Sequence, residues 1–233
     1  MRTMSVLFAK NLRNINLHRY IHRKAALSTS SNVVIKEDSG KHMPYGSIGS
    51  SLYSIATKGC YDVMDNATPL VLNCIEEIID ARNKQQISDS PFNIADFGTA
   101  DAGTSIPLMY KIISHIRSDK NHRQTPIQIL YEDQSGDDWN SLFNNVYNKN
   151  ENKIGINPNH YYTQEFENIF VLICGNSFYE QCFMTNSVDF IFSSTALHWL
   201  SSIPSNMSNV LHSAMLSFED QSTQNKYVTQ VLS

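Results

Sequence analysis

The sequence predicts an α/β protein built on a doubly wound, mostly parallel sheet. Three observations predict it. From residue 69 onward, apolar runs of strand length alternate with segments of helical period, the pattern of βαβ units. A glycine-bearing turn from Gly98 to Gly103 follows the first of those runs and leads into the most regular helical segment. The chain has 233 residues, 41% hydrophobic and 17% charged, which is ordinary globular composition for one domain with an extra segment.

The elements follow in order. Residues 39–66, rich in Gly, Ser and Tyr, read as a loop. Pro69 opens a helix, because its missing N–H costs nothing in a first turn, and Leu70, Val71, Leu72, Ile75, Ile78 and Ile79 supply the apolar face. Phe92 to Phe97 is too short for a helix and reads as a buried strand. Beyond the turn, Ile106, Leu108, Met109, Ile112, Ile113 and Ile116 recur at helical spacing behind Pro107. Ile127 to Tyr131 is a second strand, ending in Glu132-Asp133, and residues 137–148 are a short helix. An Asn-rich loop, 149–163, precedes a third strand, Ile169 to Ile173, and Val188 to Phe192 is the fourth. Residues 208–228 look helical but weakly patterned. A sheet of this kind normally has five or more strands, and four are read before the chain stops, so the domain is expected to be incomplete at its C-terminus. The fourth strand is then left at an edge with unpaired N–H and C=O groups, which predicts association as a homodimer or with a covering partner.

Charge is unevenly placed. Residues 1–36 hold seven Lys or Arg and no acid, while the other 197 residues hold eleven basic and 22 acidic groups. An acid-free, Arg- and Ser-containing N-terminus is the pattern of a mitochondrial transit peptide. Leu7, Phe8, Leu12, Ile15 and Tyr20 share a helix face there. Residues 1–40 are accordingly set apart as a basic extension from a domain at 41–233, with the mitochondrial matrix as the expected destination. The alternative is a basic tail on a cytoplasmic protein. No apolar run approaches the ~18 residues of a membrane helix, and a net charge of −4 argues against nucleic acid. Cys60, Cys74, Cys174 and Cys182 form no C-x-x-C pair and read as reduced thiols of an intracellular protein. The eight histidines form no H-E-x-x-H, so no metal site is expected.

Four segments carry candidate chemistry. The Gly98 turn lies where nucleotides bind in such sheets. It lacks the Lys of a phosphate loop, since Thr104 stands there, and Ala100 replaces the middle glycine of a dinucleotide fingerprint. Asp96 and Asp101 would repel a pyrophosphate by ~1 kcal/mol or more each, and would favour a cationic, phosphate-free ligand such as S-adenosylmethionine. The plainer alternative is that Asp96 caps a turn. Asp133 ends the second strand, where an acid accepts hydrogen bonds from ribose hydroxyls; alternatively it is one of several loop acids. In the turn after the third strand, Ser177 can hydrogen-bond an adenine edge and Phe178 can stack on it, though Ser-Phe-Tyr turns often only pack loops. After the fourth strand, Thr195, His198 and Trp199 lie where substrates bind, unless the His-Trp pair is core.

Taken together, I-A-D-F-G (94–98), E-D-Q-S-G-D-D-W-N-S-L-F (132–143), G-N-S-F-Y (175–179) and S-S-T-A-L-H-W-L-S (193–201) resemble the plant-type small-molecule carboxyl methyltransferases, the SABATH family. The upstream segment Leu52-Tyr53-Ser54-Ile55-Ala56-Thr57 is similar to a family segment that lies over the cofactor. The resemblance covers residues 44–205 and implies the class I S-adenosylmethionine-dependent methyltransferase fold. It further implies cofactor contacts from Tyr53, Thr57, Asp96, Gly98, Asp101, Asp133, Gln134, Ser177 and Phe178. The acceptor, a small carboxylic acid, would be met by Cys60, Thr195, His198 and Trp199. Asp101 and Ala102 depart from the family's Ser-Gly, Thr195 from its Tyr and Cys60 from its Gln, which suggests a non-plant branch. No catalytic base is implied, because a carboxylate is already a nucleophile. Two alternatives stand beside the enzyme: a cofactor-binding but inactive relative, and an NAD-dependent oxidoreductase domain. A chain without later strands or a cap is expected to bind cofactor weakly and turn over little.

Overall fold

The computed structural model describes the backbone of residues 6–10 and the whole of residues 47–147 and 161–196. These residues belong to one compact unit. In chain order the elements are β1 (Val6–Lys10), α1 (Leu52–Ala56), α2 (Lys58–Lys84), β2 (Phe92–Phe97), α3 (Ile106–Ser118), β3 (Ile127–Asp133), α4 (Trp139–Val146), α5 (Tyr162–Glu165), β4 (Ile169–Gly175) and β5 (Phe190–Ser194). The sheet order is β1-β5-β2-β3-β4. The inner pairs β5/β2, β2/β3 and β3/β4 are parallel, and β1 runs antiparallel to β5.

Register explains the core. Phe190, Ile94 and Ile129 line up across β5, β2 and β3, and Ile129 faces Val171 on β4. Strand pleat puts this row on one face with Phe92, Ile127, Tyr131 and Phe192. The apolar faces of α2 and α3 and the short helices α4 and α5 cover that face, and together they form the main core. Each fully buried Ile or Phe contributes about 1.5–3 kcal/mol of transfer free energy. On the opposite face Ala95, Leu130 and Val188 form a smaller cluster with Phe97, Phe183 and Ile191 packed against it.

Four sequence expectations change. Pro69 does not open a helix: α2 starts at Lys58, and residues 52–56 and 58–66, read as loop, are helical. Pro69 is an exposed residue inside α2. An interior proline costs ~3 kcal/mol, but Met64, Thr68, Val71, Ile75 and Ile78 are buried on the other side, and that burial outweighs it. The Asn-rich stretch yields the single turn α5, whose Tyr162 is buried with its hydroxyl 2.9 Å from that of Tyr131. The helix face read over Leu7 and Phe8 gives way to strand β1. β5 is therefore paired on both sides and is not an edge. β1 was missed because Leu7 and Phe8 also fit a helix face, and only its pairing with β5 settles the choice. The candidate helix at 208–228, with His198 and Trp199, lies outside the described residues. Among those described, no helix is long and apolar enough to cross a membrane, and no cluster of His, Cys, Asp and Glu could hold a metal ion.

Candidate cofactor and acceptor site

The site forms at the carboxyl ends of β2, β3, β4 and β5. Its floor is the turn after β2. Gly98 has φ +74°, a left-handed conformation suited to glycine, and a Cβ there would collide with the Ala196 side chain. Ala100 and Ala102 also have positive φ, at 49° and 58°. Such residues persist only when their surroundings fix them, and the end of β3 does so. Gly98 N and Thr99 N donate to the Glu132 carbonyl at 2.9 and 3.1 Å. Ala100 N donates to Asp133 Oδ2 at 2.8 Å, and Thr99 Oγ1 to Asp96 Oδ2 at 3.0 Å.

Acids dominate the surroundings. Asp96 sits in register between Phe192 and Tyr131 on the helix-packed face, and it is buried. Burial therefore pushes its carboxyl up to about 7, against hydrogen bonds from Ser105 and Thr99, while the Asp133 charge adds to the rise. Glu132 is buried and pushed up to about 8 by desolvation, then by Asp133. Asp137 is raised to about 7 by burial and the charges of Asp133, Asp101 and Asp138. Asp96 Oδ1, Glu132 Oε1 and both Asp137 oxygens have no hydrogen-bond partner among the described residues.

The roof is the segment around α1, held by two other acids. Asp101 is buried and accepts from Ser54 N at 3.0 Å, from Ser54 Oγ, and from Gly103 N at 3.2 Å. Its carboxylate thus anchors α1. Asp138 accepts from Gly49 N at 2.9 Å and from Ser141 N at 3.1 Å, joining the 47–51 segment to the start of α4. Ser51 Oγ donates to Asn145 Oδ1 at 3.0 Å, and Asn145 Nδ2 donates to the Asp101 carbonyl at 2.8 Å.

The other residues expected from sequence fall around this frame. Asp133 is half-buried; its Oδ1 accepts from Gln134 N at 2.7 Å, and the Gln134 side chain is exposed. β3 and β4 pair Asp133 with Gly175, so the turn carrying Ser177 and Phe178 leaves the sheet next to the end of β3. Thr57 Oγ1 donates to the Tyr53 carbonyl at 2.7 Å. Tyr53, Cys60 and Thr195 converge from three elements: Thr195 Oγ1 lies 3.6 Å and Tyr53 Oη 3.9 Å from Cys60 Sγ. Burial keeps the Tyr53 phenol protonated well beyond its usual range. Sequence reading missed Glu132 as a buried acid, Asp137 as a half-buried one, and the anchoring work of Ser54 and Asp138. The acid density of residues 132–138 was the available signal.

The donor set tests the ligand. The described residues around the turn offer carboxylates and backbone N–H groups but no Lys or Arg, and Asp133 already occupies the Ala100 N–H that a phosphate would use. Carboxyl groups with no Lys or Arg among them suit a cation bearing a ribose better than a pyrophosphate.

Comparison with known proteins agrees. Residues 41–231 match the profile of the SAM-dependent carboxyl methyltransferases. The chain is 29% identical to loganic acid O-methyltransferase of Catharanthus roseus over 67% of its own length and 39% of that protein. It is 28% identical to 3,7-dimethylxanthine N-methyltransferase 2 of Coffea arabica, covering 60% of this chain and 36% of that one. It is 27% identical to methyltransferase LUC1 of a Fusarium species, covering 72% and 42%. The chain thus spans about two fifths of the length of these relatives. A solved structure of loganic acid methyltransferase with SAH superposes with a TM-score of 0.54 at 22% identity, over 81% of this chain and 51% of that one, and shares the fold. With a profile match over most of its length and a parallel sheet of the same architecture, the chain belongs to the family of SAM-dependent carboxyl methyltransferases.

Proposed function

We propose that this chain carries the cofactor half of an S-adenosylmethionine-dependent methyltransferase that acts on the carboxylate of a small-molecule acid. One observation carries the reading: acids gather at the carboxyl strand ends around the Gly98 turn, and Asp96 Oδ1, Glu132 Oε1 and both Asp137 oxygens lack hydrogen-bond partners among the described residues. When bound, the cofactor supplies an electrophilic methyl group on a sulfonium. The protein's part is placement. Asp133 would hold the ribose hydroxyls, Ser177 the adenine edge and Phe178 its face, while the acids around the turn favour the positive end. Tyr53, Cys60 and Thr195 stand at the acceptor side. The phenol stays protonated, so it can donate a hydrogen bond to an acceptor carboxylate. His198 and Trp199 join them by resemblance. No base is needed, so orientation and exclusion of water are what the pocket contributes.

Two measurements test this. Calorimetry of the full chain with S-adenosylhomocysteine and with NAD should show heat of binding for the first alone; binding of NAD alone would make the chain an oxidoreductase domain. Transfer of labelled methyl from cofactor to a panel of small acids should then identify an acceptor. Cofactor binding without transfer to any acceptor would make the chain an inactive relative. The mitochondrial destination remains part of this proposal, supported by the acid-free residues 1–36. A fusion of those residues to a fluorescent reporter should co-localise with mitochondria, and a diffuse signal would reject it.

A further inference from the structure

Cys174 and Cys182 bracket the turn that carries Ser177 and Phe178. Cys174 is the penultimate residue of β4, in register with Glu132, and so is fixed by the sheet. Cys182 lies on the loop that returns from the turn. The loop folds back so that Cys174 Sγ lies 3.5 Å from the Cys182 carbonyl oxygen. Cys182 Sγ in turn donates to the Ser177 carbonyl at 3.3 Å and lies 3.6 Å from that of Glu180. The thiol proton of Cys182 therefore ties the loop to Ser177. Both cysteines are half-buried and unbridged. Cys60 and Cys74 belong to α2, so neither brackets this turn.

We infer that Cys174 and Cys182 form a thiol–disulfide modification site that controls the turn at Ser177 and Phe178, with a low-molecular-weight disulfide such as glutathione disulfide as the oxidant. The effect on ligand rests on the proposed placement of adenine at that turn; the bridge itself does not. Burial, Glu132 and Cys174 together push the Cys182 thiol up to about 12, so it remains a thiol at neutral pH. The first attack is therefore made by Cys174, whose proton passes to the departing glutathione. It displaces one glutathione from the disulfide, forming a Cys174–glutathione mixed disulfide and one glutathione thiol. Cys182 sulfur then attacks the Cys174 sulfur. The Cys174–glutathione S–S bond breaks, the proton of Cys182 ends on the departing glutathione, and the Cys174–Cys182 bond forms. In balance, two protein thiols are oxidised to one disulfide and one glutathione disulfide is reduced to two glutathiones. The bridge removes the S–H donor held by the Ser177 carbonyl and pins the loop base to β4.

The test uses the full chain, reduced or incubated with glutathione disulfide, then alkylated and digested. A peptide pair joined through Cys174 and Cys182 is expected, reversed by dithiothreitol. Bridges confined to Cys60 or Cys74, or no bridge at all, would overturn the proposal. Calorimetry with S-adenosylhomocysteine on both forms should show a threefold or larger change in affinity on oxidation, absent in Cys182→Ser and in Cys174→Ser. An unchanged affinity in a bridged protein that still binds would overturn the control while leaving the bridge. Failure of the reduced protein to bind at all would reject the cofactor reading instead, and mass spectrometry would still decide the bridge.

Discussion

The two sides of the candidate site are built on opposite plans. On the β2 side, the turn from Gly98 to Gly103 is locked from within: β3 supplies acceptors for three successive N–H groups, and Asp101 clamps α1 above it. On the β4 side, the strand exposes Phe170 at 52% and Leu172 at 47%. There the Ser177 turn rests on local bonds, Tyr179 N to Ser177 Oγ at 3.3 Å and Glu180 N to the Ser177 carbonyl at 2.8 Å. On the proposed cofactor placement, one side serves stability and binding together, and the other serves binding with little stake in stability. Substitutions on the two sides should separate these quantities.

The largest effect is expected at Gly98. An alanine there meets both a left-handed φ and the Ala196 side chain. Backbone strain of about 1–3 kcal/mol and overpacking of similar size should combine to about 2–5 kcal/mol of lost stability. Urea unfolding of Gly98→Ala measures it, and a midpoint equal to that of the parent would show that the turn is not locked.

Asp133→Ala comes next and should strike both quantities. It removes the acceptor of Ala100 N and the proposed ribose partner. Loss of a charge-assisted bond of about 1.5–3 kcal/mol corresponds to a 10- to 100-fold drop in S-adenosylhomocysteine affinity by calorimetry. Unchanged affinity would remove Asp133 from the cofactor site.

The same residue sharpens a pH experiment. Asp96, Glu132 and Asp137 hold their protons in the folded chain to about 7, 8 and 7, above the ordinary carboxyl range. The folded state therefore binds more protons than the unfolded one, and stability falls as pH rises from about 4 through 8. Between pH 7 and 8 the loss should be about 1–2 kcal/mol, read as a falling Tm. Cofactor affinity should move the other way, because ionised carboxylates attract the sulfonium and ammonium more strongly. Asp133 raises all three groups, so Asp133→Ala should shift the stability curve to lower pH. A Tm that rises over pH 5–8 would contradict the buried, protonated acids.

These contrasts mark what the sequence could disclose. The β2 strand, its glycine turn and the helix behind Pro107 were legible because burial on one face of a helix leaves a periodic trace and burial on both faces of a strand leaves a short apolar run. Asp133 was legible as a strand-end acid because one βαβ spacing after the glycine turn fixes its place. Other features were not. The direction of the Asp101 carboxylate, toward Ser54 and Gly103, depends on how α1 docks over the turn, a long-range fact. α2 was read eleven residues too short at its start, because a local rule about proline was set against burial at Met64 and Thr68 that no local window reveals. Strand β1 is defined by pairing with β5, at least 180 residues away in sequence.

The smallest expected effect belongs to Phe178, and it is the cleanest test of the contrast. The ring is half-buried and tilted against Tyr179, with centroids 4.7 Å apart. It belongs to neither hydrophobic cluster. Truncation to alanine should therefore change the unfolding free energy by less than about 0.5 kcal/mol. If the ring stacks on adenine, the same truncation should cost about 0.5–1.5 kcal/mol of binding, a two- to tenfold loss of S-adenosylhomocysteine affinity. The two readouts must come apart: a midpoint held with affinity lowered is what a binding-only loop gives. Equal losses in both would mean that the turn after β4 is packed as firmly as the one after β2. An unchanged affinity would move adenine away from Phe178 and leave Asp133 to be tested as the cofactor anchor on its own.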